Sequence, residues 1–155
     1  MSILIRKAKH SDSKDIFSWR NDDLSLSMFR NSNIVLWDEH SLWFKERINN
    51  KNYLFLIGEK NSTKIGVIRF DVYENYSEVS VNLNPEQRGK NLSRNFLALG
   101  CNYYFNLLDK KIISEIKTIN TKSLKIFESV GFNKTGNKEN FISYELRKNN
   151  LIFKV

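Results

Sequence analysis

Between a strand-like run and a helix-like run the chain reads Gln87-Arg88-Gly89-Lys90-Asn91-Leu92-Ser93, a basic turn with one glycine. The chain's single proline, Pro85, ends the strand just before it, and apolar side chains then recur at helical spacing from Leu92 to Tyr103. A turn of this kind directs backbone N–H groups at one point, where the helix dipole adds partial positive charge. We therefore expect a pyrophosphate-binding turn, with Arg88 and Lys90 adding charge-assisted contacts. An ordinary strand-to-helix turn with exposed basic residues would show the same pattern.

A second segment in the last quarter of the chain reads Asn120-Thr121-Lys122-Ser123-Leu124-Lys125-Ile126-Phe127-Glu128-Ser129-Val130-Gly131-Phe132. It follows the strand-like run 111–119, and its spacing predicts a short helix at 123–129 before a Gly-Phe pair. Either segment alone is common in α/β proteins, so the prediction of the fold depends on their order and spacing.

Outside these segments the chain predicts two helices ahead of the main sheet, at 11–23 and from 38 onward. The β-rich runs, which form an antiparallel meander in their middle part, are expected at 3–8, 53–58, 64–71, 77–83 and 141–146. Alternation along 77–83 predicts one core face and one face available for chemistry. The core face carries Val79, Val81 and Leu83. The face available for chemistry carries Glu78, Ser80 and Asn82.

Composition limits the class of protein. At 155 residues, with 41% hydrophobic and 13% aromatic residues, the chain is expected to form a single domain over 1–155. Cys101 is the only cysteine, and His10 and His40 are the only histidines, so neither a disulfide framework nor a zinc site is expected, and no metal. No apolar run approaches the roughly 18 residues of a membrane span, so we expect a cytoplasmic protein without a membrane partner.

A formal charge of +8 and a pI of about 9.6 favour anionic partners. The lysines are scattered along the chain, as in an ordinary solvated surface, and the aromatic residues do not form a recognisable RNA-binding pattern. Nucleic acid is therefore not the expected partner, although a basic RNA-binding protein stays an alternative.

Together the two segments resemble the GNAT superfamily of acetyltransferases. Its pyrophosphate loop usually reads Arg/Gln-x-x-Gly-x-Gly/Ala, and its later helix reads Asn-x-x-Ser-x-x-x-Tyr-x-x-x-Gly-Phe. Arg88 holds the first loop place, Asn91 stands where glycine is usual, and Ser93 where Gly or Ala is usual. Asn tolerates a left-handed backbone and Ser is small, so the loop can keep its shape. The resemblance spans nearly the whole chain and implies an α/β GNAT fold, with a mixed, mostly antiparallel central sheet flanked by helices and splayed central strands.

The same resemblance implies acetyl-CoA as cofactor and direct transfer of acetyl to a small-molecule amine. The backbone of Asn82 and Leu83 is expected to pair with the pantetheine arm, and the N–H of Leu83 to polarise the thioester carbonyl. The full set of implied cofactor-binding residues is Asn82, Leu83, Arg88, Gly89, Lys90, Asn91, Leu92, Ser93, Asn120, Ser123 and Phe127.

Glu78 matches a position where many relatives carry a general base, although an acid on a strand face can equally be a solvated surface group. Phe127 stands where the family often has the tyrosine that protonates the departing thiolate. A water or another hydroxyl, such as that of Tyr144, is expected to serve instead. Cys101 is expected in the core, since no histidine is positioned to activate it.

For the acceptor, the N-terminal third is similar to the GNAT enzymes that acetylate UDP-4-amino-4,6-dideoxy sugars in pseudaminic acid biosynthesis. The likeness rests on Trp19-Arg20-Asn21 and on Ile34, His40, Trp43 and Phe44, and is shared in part with ribosomal-protein N-terminal acetyltransferases. A nucleotide sugar needs an aromatic platform and cations for a diphosphate. The expected substrate-binding residues are Trp19, Arg20, Asn21, His40, Trp43 and Arg69, with Arg30 as a further cation.

Several alternatives stay open. Trp19 and Trp43 can be helix core, Arg20 can neutralise a helix C-terminus, and His40 can cap a helix or lie on the surface. The acceptor can be a protein N-terminus or an aminoglycoside-like amine, and the domain can be a non-catalytic CoA-binding module. The resemblance is also compatible with a homodimer.

Overall fold

Helices and strands alternate in groups along residues 2–153, the part of the chain that the computed structural model describes. The strands are β1 (Leu4–Lys7), β2 (Tyr53–Lys60), β3 (Thr63–Val72), β4 (Tyr76–Leu83), β5 (Lys111–Lys117), β6 (Asn133–Lys138) and β7 (Phe141–Leu146). The helices are α1 (Ser13–Arg20), α2 (Asp23–Met28), α3 (Trp37–Arg47), α4 (Ser93–Leu107) and α5 (Thr121–Val130).

The strands form one sheet in the order β1-β2-β3-β4-β5-β7-β6. All neighbouring pairs are antiparallel except β4 and β5, which run parallel. That parallel pairing extends only from Tyr76 opposite Lys111 to Glu78 opposite Ile113, although both strands continue. The two strands therefore diverge, and the mixed, mostly antiparallel sheet with splayed central strands is confirmed.

The larger core cluster lies between the sheet and helices α4 and α5. Phe96 and Leu97 of α4 are fully buried, and Tyr104 stacks on Phe70 of β3 with ring centroids 4.6 Å apart. The Tyr104 hydroxyl donates to Ser77 Oγ at 2.7 Å. Helix α5 ends at Gly131, whose φ of 112° is a left-handed conformation that glycine adopts without steric cost. The predicted Gly-Phe helix end is confirmed.

Helices α1 and α3 cover the other face of β2 and β3 with a smaller core cluster. The start of α1 is held by Asp12, a fully buried carboxylate that accepts from Arg6 Nη1 at 2.8 Å and lies 2.8 Å from Lys64 Nζ. Burial opposes ionisation, but these two cations and the Lys9 N–H hold the pKa of Asp12 well below its usual range. The ion cluster therefore ties α1 to β1 and β3.

Two elements were missed by the sequence analysis. Helix α2 forms between the two predicted helices, where no element was predicted. Strand β6 forms from polar residues at the edge of the sheet, with no apolar alternation to reveal it. Within 2–153 no helix is long and apolar enough to cross a membrane. Over the same range no three His, Cys, Asp or Glu side chains are grouped so as to hold a metal ion.

Candidate active site

The gap between β4 and β5 exposes backbone groups of one strand. The N–H of Asn84 donates to Ile65 O of β3 at 2.8 Å, whereas Val79 O lies 3.5 Å from Ser114 Oγ of β5. Backbone groups along a strand alternate in direction, and the Val79 N–H still faces Ile113 at the last β4–β5 pair, so the N–H groups that face the open gap are those of Val81 and Leu83. Leu83 thus keeps its predicted position among the gap-facing donors.

Asn82 differs from its prediction. By the same alternation its backbone groups face β3, where it pairs with Val67, so they are not available to a ligand in the gap. Its side chain lines the cavity instead, and its Oδ1 accepts from Ser25 Oγ of α2 at 2.9 Å.

The turn before α4 has the geometry of an anion site. Gly89 and Asn91 have φ of 75° and 57°, so Asn91 adopts the left-handed conformation that the family's glycine would supply. Apart from its chain neighbours Arg88 and Lys90, no described residue places a heavy atom within 4 Å of the position that a Cβ would take at Gly89. Helix α4 follows with no side-chain cap from any described residue, so its first-turn N–H groups, beginning at Ser93, are free to bind an anion. Leu92 is buried and anchors the turn in the core.

The two basic side chains of this turn contact protein atoms. Arg88 Nη2 donates to Asp22 Oδ2 at 2.7 Å and to Ser25 Oγ at 2.8 Å, so its guanidinium is joined to α2. Lys90 is exposed, with Nζ 3.4 Å from Gln87 Oε1. Of the two, Arg88 lines the cavity.

Helix α5 borders the gap on its other side. Asn120 caps this helix through Oδ1, which accepts from the Ser123 N–H at 3.3 Å, and both residues line the cavity with Phe127. The Phe127 ring is 6% exposed and lies 4.8 Å from that of Phe132, so no hydroxyl is present at this point.

The suggested replacement, Tyr144, is not available for that role. Its hydroxyl donates to Glu128 Oε1 at 2.8 Å, and burial together with this bond raises its pKa to about 12. Cys101 is fully buried in the core, as predicted, and burial raises the pKa of its thiol.

A second set of polar side chains lies on the α1–α3 face of the sheet, beside the gap. Arg69 pairs with Ser80 across β3 and β4, and Asp71 pairs with Glu78, so all four share that face. Glu78 is the last β4 residue that pairs with β5, and its carboxylate therefore lies where the two strands begin to separate.

Arg30, from the connection between α2 and α3, spans this point. Its Nη2 lies 3.5 Å from Glu78 Oε1 and 3.0 Å from Glu115 Oε2 of β5. The Arg30 side chain is 60% exposed, so the ion pairs are accessible to water.

Further from the gap, two arginines face the cavity. Arg20 Nη1 is buried and has no hydrogen-bond partner within residues 2–153, while its Nη2 donates to Asn31 O at 3.1 Å. Arg69 Nε donates to Asp71 Oδ1 at 2.8 Å, and its guanidinium lies 5.2 Å from the Trp43 ring centroid. Burial, and then the positive charge of Arg69, lower the pKa of Arg20. Arg69 therefore has a carboxylate partner, whereas Arg20 has none among residues 2–153.

Three residues that were predicted to bind substrate make their main contacts with other parts of the protein. Trp19, 5% exposed, belongs to the α1–α3 core cluster, in keeping with the core alternative. Asn21 bonds both backbone groups of Val35, with its Nδ2 donating at 2.7 Å and its Oδ1 accepting at 2.9 Å. His40 is 3% exposed and borders the cavity, with Nε2 3.0 Å from Ser13 O. Burial lowers the pKa of His40, which favours the neutral ring.

A cavity of about 830 Å³ runs from Arg88 and Ser93, past Glu78, to Arg69 and Trp43. Sequence analysis missed Ser25, Phe29, Glu115 and Phe141 in its wall. Of these four, Glu115 could have been predicted most easily. It lies two residues after Ile113 on β5, and Ile113 pairs with Glu78, so Glu115 and Glu78 share one face of the sheet.

Comparison with known proteins agrees with this geometry. The chain matches the family described as Acetyltransferase (GNAT) domain over residues 2–133. An uncharacterized protein of Methanocaldococcus jannaschii is 30% identical over an alignment 156 positions long, which covers 93% of this chain and 31% of that protein. The chain thus spans about a third of the length of this curated relative.

Solved structures show the same fold. A domain from Methanocaldococcus jannaschii has a TM-score of 0.78 at 26% identity, with 94% of this chain and 98% of that chain covered. The spermidine N-acetyltransferase of Vibrio cholerae, solved with CoA and spermine, has a TM-score of 0.84 at 18% identity, with 96% and 97% covered. The matched range contains the diverging strands, the uncapped turn and α5. The chain therefore belongs to the acetyltransferase (GNAT) domain family.

Proposed function

We propose that the domain transfers acetyl from acetyl-CoA to the amino group of a nucleotide-linked amino-deoxysugar, directly and in a ternary complex. The observation that carries the acceptor class is the buried Arg20 Nη1, for which residues 2–153 supply no acceptor. A buried guanidinium N–H without a partner is costly, so a ligand oxygen at this point would be strongly favoured.

The cofactor half of the cavity fits a thioester on a phosphorylated arm. The uncapped first turn of α4 and the open space at Gly89 suit phosphate oxygens. When bound, acetyl-CoA supplies an activated acetyl group. Leu83, together with Val81, offers N–H donors in the gap for an acyl oxygen that gains negative charge. We retain Leu83 as the proposed donor and add Val81 as its neighbour in the same direction.

Glu78 is the proposed general base for the acceptor amine. Its carboxylate lies at the point where β4 and β5 separate, beside both halves of the cavity. The contact with Arg30 is largely exposed, and pairs of this kind contribute only about 0–1 kcal/mol. An acceptor ammonium can therefore replace Arg30 next to Glu78 and lose its proton there.

The thiolate needs no strong acid, because its basicity is close to that of a cysteine thiolate. With phenylalanine at 127 and the Tyr144 hydroxyl bonded to Glu128, the Ser123 hydroxyl or a water is the donor that we propose.

A diphosphate suits the acceptor end of the cavity. Arg20 and Arg69 both line it. Arg69 forms an ion pair with one carboxylate, that of Asp71, and Arg20 forms none with the described residues. Trp43 adds an aromatic surface beside Arg69. A polyamine such as spermidine, named for the Vibrio cholerae structure, would meet like charge at these arginines, so we expect it to be a poor acceptor.

The test is acetyl transfer from acetyl-CoA to a panel of amines, followed by mass spectrometry. The panel holds a UDP-linked 4-amino-4,6-dideoxy sugar, the same amino sugar without nucleotide, spermidine, and a peptide with a free α-amine. We expect kcat/KM for the nucleotide-linked sugar to exceed that of the free sugar by at least about tenfold, the effect of one charge-assisted hydrogen bond.

Preference for spermidine or the peptide would contradict the proposed acceptor. Binding of acetyl-CoA without transfer to any amine would favour a non-catalytic CoA-binding module.

A further inference from the structure

Helix α2 is attached to both of the strands that diverge. On the β4 side, Arg88 Nη2 donates to Asp22 Oδ2 and to Ser25 Oγ, and Ser25 Oγ donates to Asn82 Oδ1, at 2.7, 2.8 and 2.9 Å. We call these four residues the α2 tether. On the β5 side, Lys117 Nζ donates to Ser27 O at 2.9 Å. Helix α2 therefore bridges the open end of the gap.

The helix depends on these attachments. It spans only Asp23–Met28, and a helix of this length is not stable by itself in water. Asp22 contributes twice, because the same Oδ2 also accepts from the Ser25 N–H at 3.2 Å and so caps the helix. The Arg88 hydrogen bond is the main cause that lowers the pKa of Asp22.

The tether joins the two halves of the cavity. Asn82 and Arg88 belong to the strand end and turn of the cofactor half, whereas α2 leads directly into Phe29 and Arg30 of the acceptor half. Leu24, Ser25 and Met28 of α2 line the cavity between them.

We infer that Asp22 is a positioning residue, which through Arg88 holds α2 across the gap and so couples cofactor binding to the shape of the acceptor site. This inference rests on the proposed function, because it assumes that an amine is acetylated in this cavity. The competing explanation is that Asp22 only neutralises Arg88 and competes with the cofactor phosphates for it.

The first measurement uses Asp22→Asn, which removes the charge but keeps a residue that caps helices well. Asp23→Asn is the matched control, since Asp23 is the next residue and its side chain is exposed. With the best amine from the panel, we expect the acceptor KM of Asp22→Asn to rise by about fivefold, the effect of losing a partly exposed Arg–Asp pair. The kcat and the acetyl-CoA Kd should change by less than about twofold, and Asp23→Asn should match the wild type.

The second measurement is hydrogen exchange of the α2 amides with and without acetyl-CoA, which needs no acceptor. Acetyl-CoA should increase α2 protection in the wild type and in Asp23→Asn but not in Asp22→Asn. An acetyl-CoA Kd that falls in Asp22→Asn, with acceptor KM and α2 protection unchanged, would overturn the inference in favour of simple competition. If no amine is acetylated by the wild type, the proposed function fails, and the exchange measurement still decides whether the tether couples α2 to the cofactor.

Discussion

Two single residues carry the proposed chemistry, Glu78 as the base and Arg20 as the anion-binding group. They lie at different parts of one cavity, and each role predicts a different change in kinetics.

Glu78→Gln should lower kcat by about 10²–10⁴-fold, because an amide cannot take the proton of the acceptor ammonium. The acetyl-CoA Kd should not change, since the side chain lies on the acceptor face. Steady-state kinetics and calorimetry measure the two quantities, with Glu74→Gln, at an exposed position of the β3–β4 turn, as control. Unchanged turnover across the pH range would remove Glu78 from the mechanism.

Arg20→Gln should raise the KM of a nucleotide-linked acceptor by about tenfold or more, the effect of one lost charge-assisted hydrogen bond. The KM of the same amino sugar without nucleotide should stay as it is. Thermal stability should fall only slightly, because the substitution removes the Nη2 bond to Asn31 O and the contact with the Phe29 ring, while the buried Nη1 has no partner to lose within 2–153. Equal effects on both acceptors would mean that Arg20 does not contact the nucleotide part.

At the scale of elements, the turn before α4 and the α1–α3 layer position these residues. Much of both was predictable. The glycine turn, the helix after it and the α5 segment follow from local spacing, and Asn91 takes the left-handed conformation that its type allows. Helix α2 was not predictable in this way, because its stability comes from contacts with Arg88 and Lys117, which are distant in sequence.

Two substitutions at Asn91 test whether the turn before α4 binds the cofactor. Asn91→Gly should retain or strengthen acetyl-CoA binding, since glycine adopts a φ of 57° without strain. Asn91→Ala should weaken binding and destabilise the fold by about 1 kcal/mol, because alanine is strained in this region. Calorimetry and chemical denaturation give the two values, and equal binding by both variants would show that the turn does not hold the cofactor.

The buried His40 should make the stability of the folded protein depend on pH. Burial lowers its pKa in the folded protein below the ordinary value of about 6.5, so the unfolded chain takes up a proton that the folded one does not. Stability should therefore fall as the pH drops from about 7.5 through about 6.5 toward the lowered pKa. Thermal melts should show this slope in the wild type and in His10→Gln but a flatter slope in His40→Gln. The same slope in all three proteins would assign it to other groups.

At the scale of the whole molecule, the sequence predicts the order of strands and helices better than it predicts the site. The fold follows from periodicity and from two motifs, but Trp19 and Asn21 were expected at the substrate and instead pack in the core and bond Val35. A sequence pattern shows that an aromatic or amide residue is present, not which side of its helix faces the cavity. The splayed strands are the feature on which all other roles depend.

Calorimetric titration of acetyl-CoA into the folded protein tests this feature most directly. Saturable one-to-one binding that CoA competes away is the expected result. Absence of binding heat in a well-folded preparation, with no competition by CoA, would contradict it.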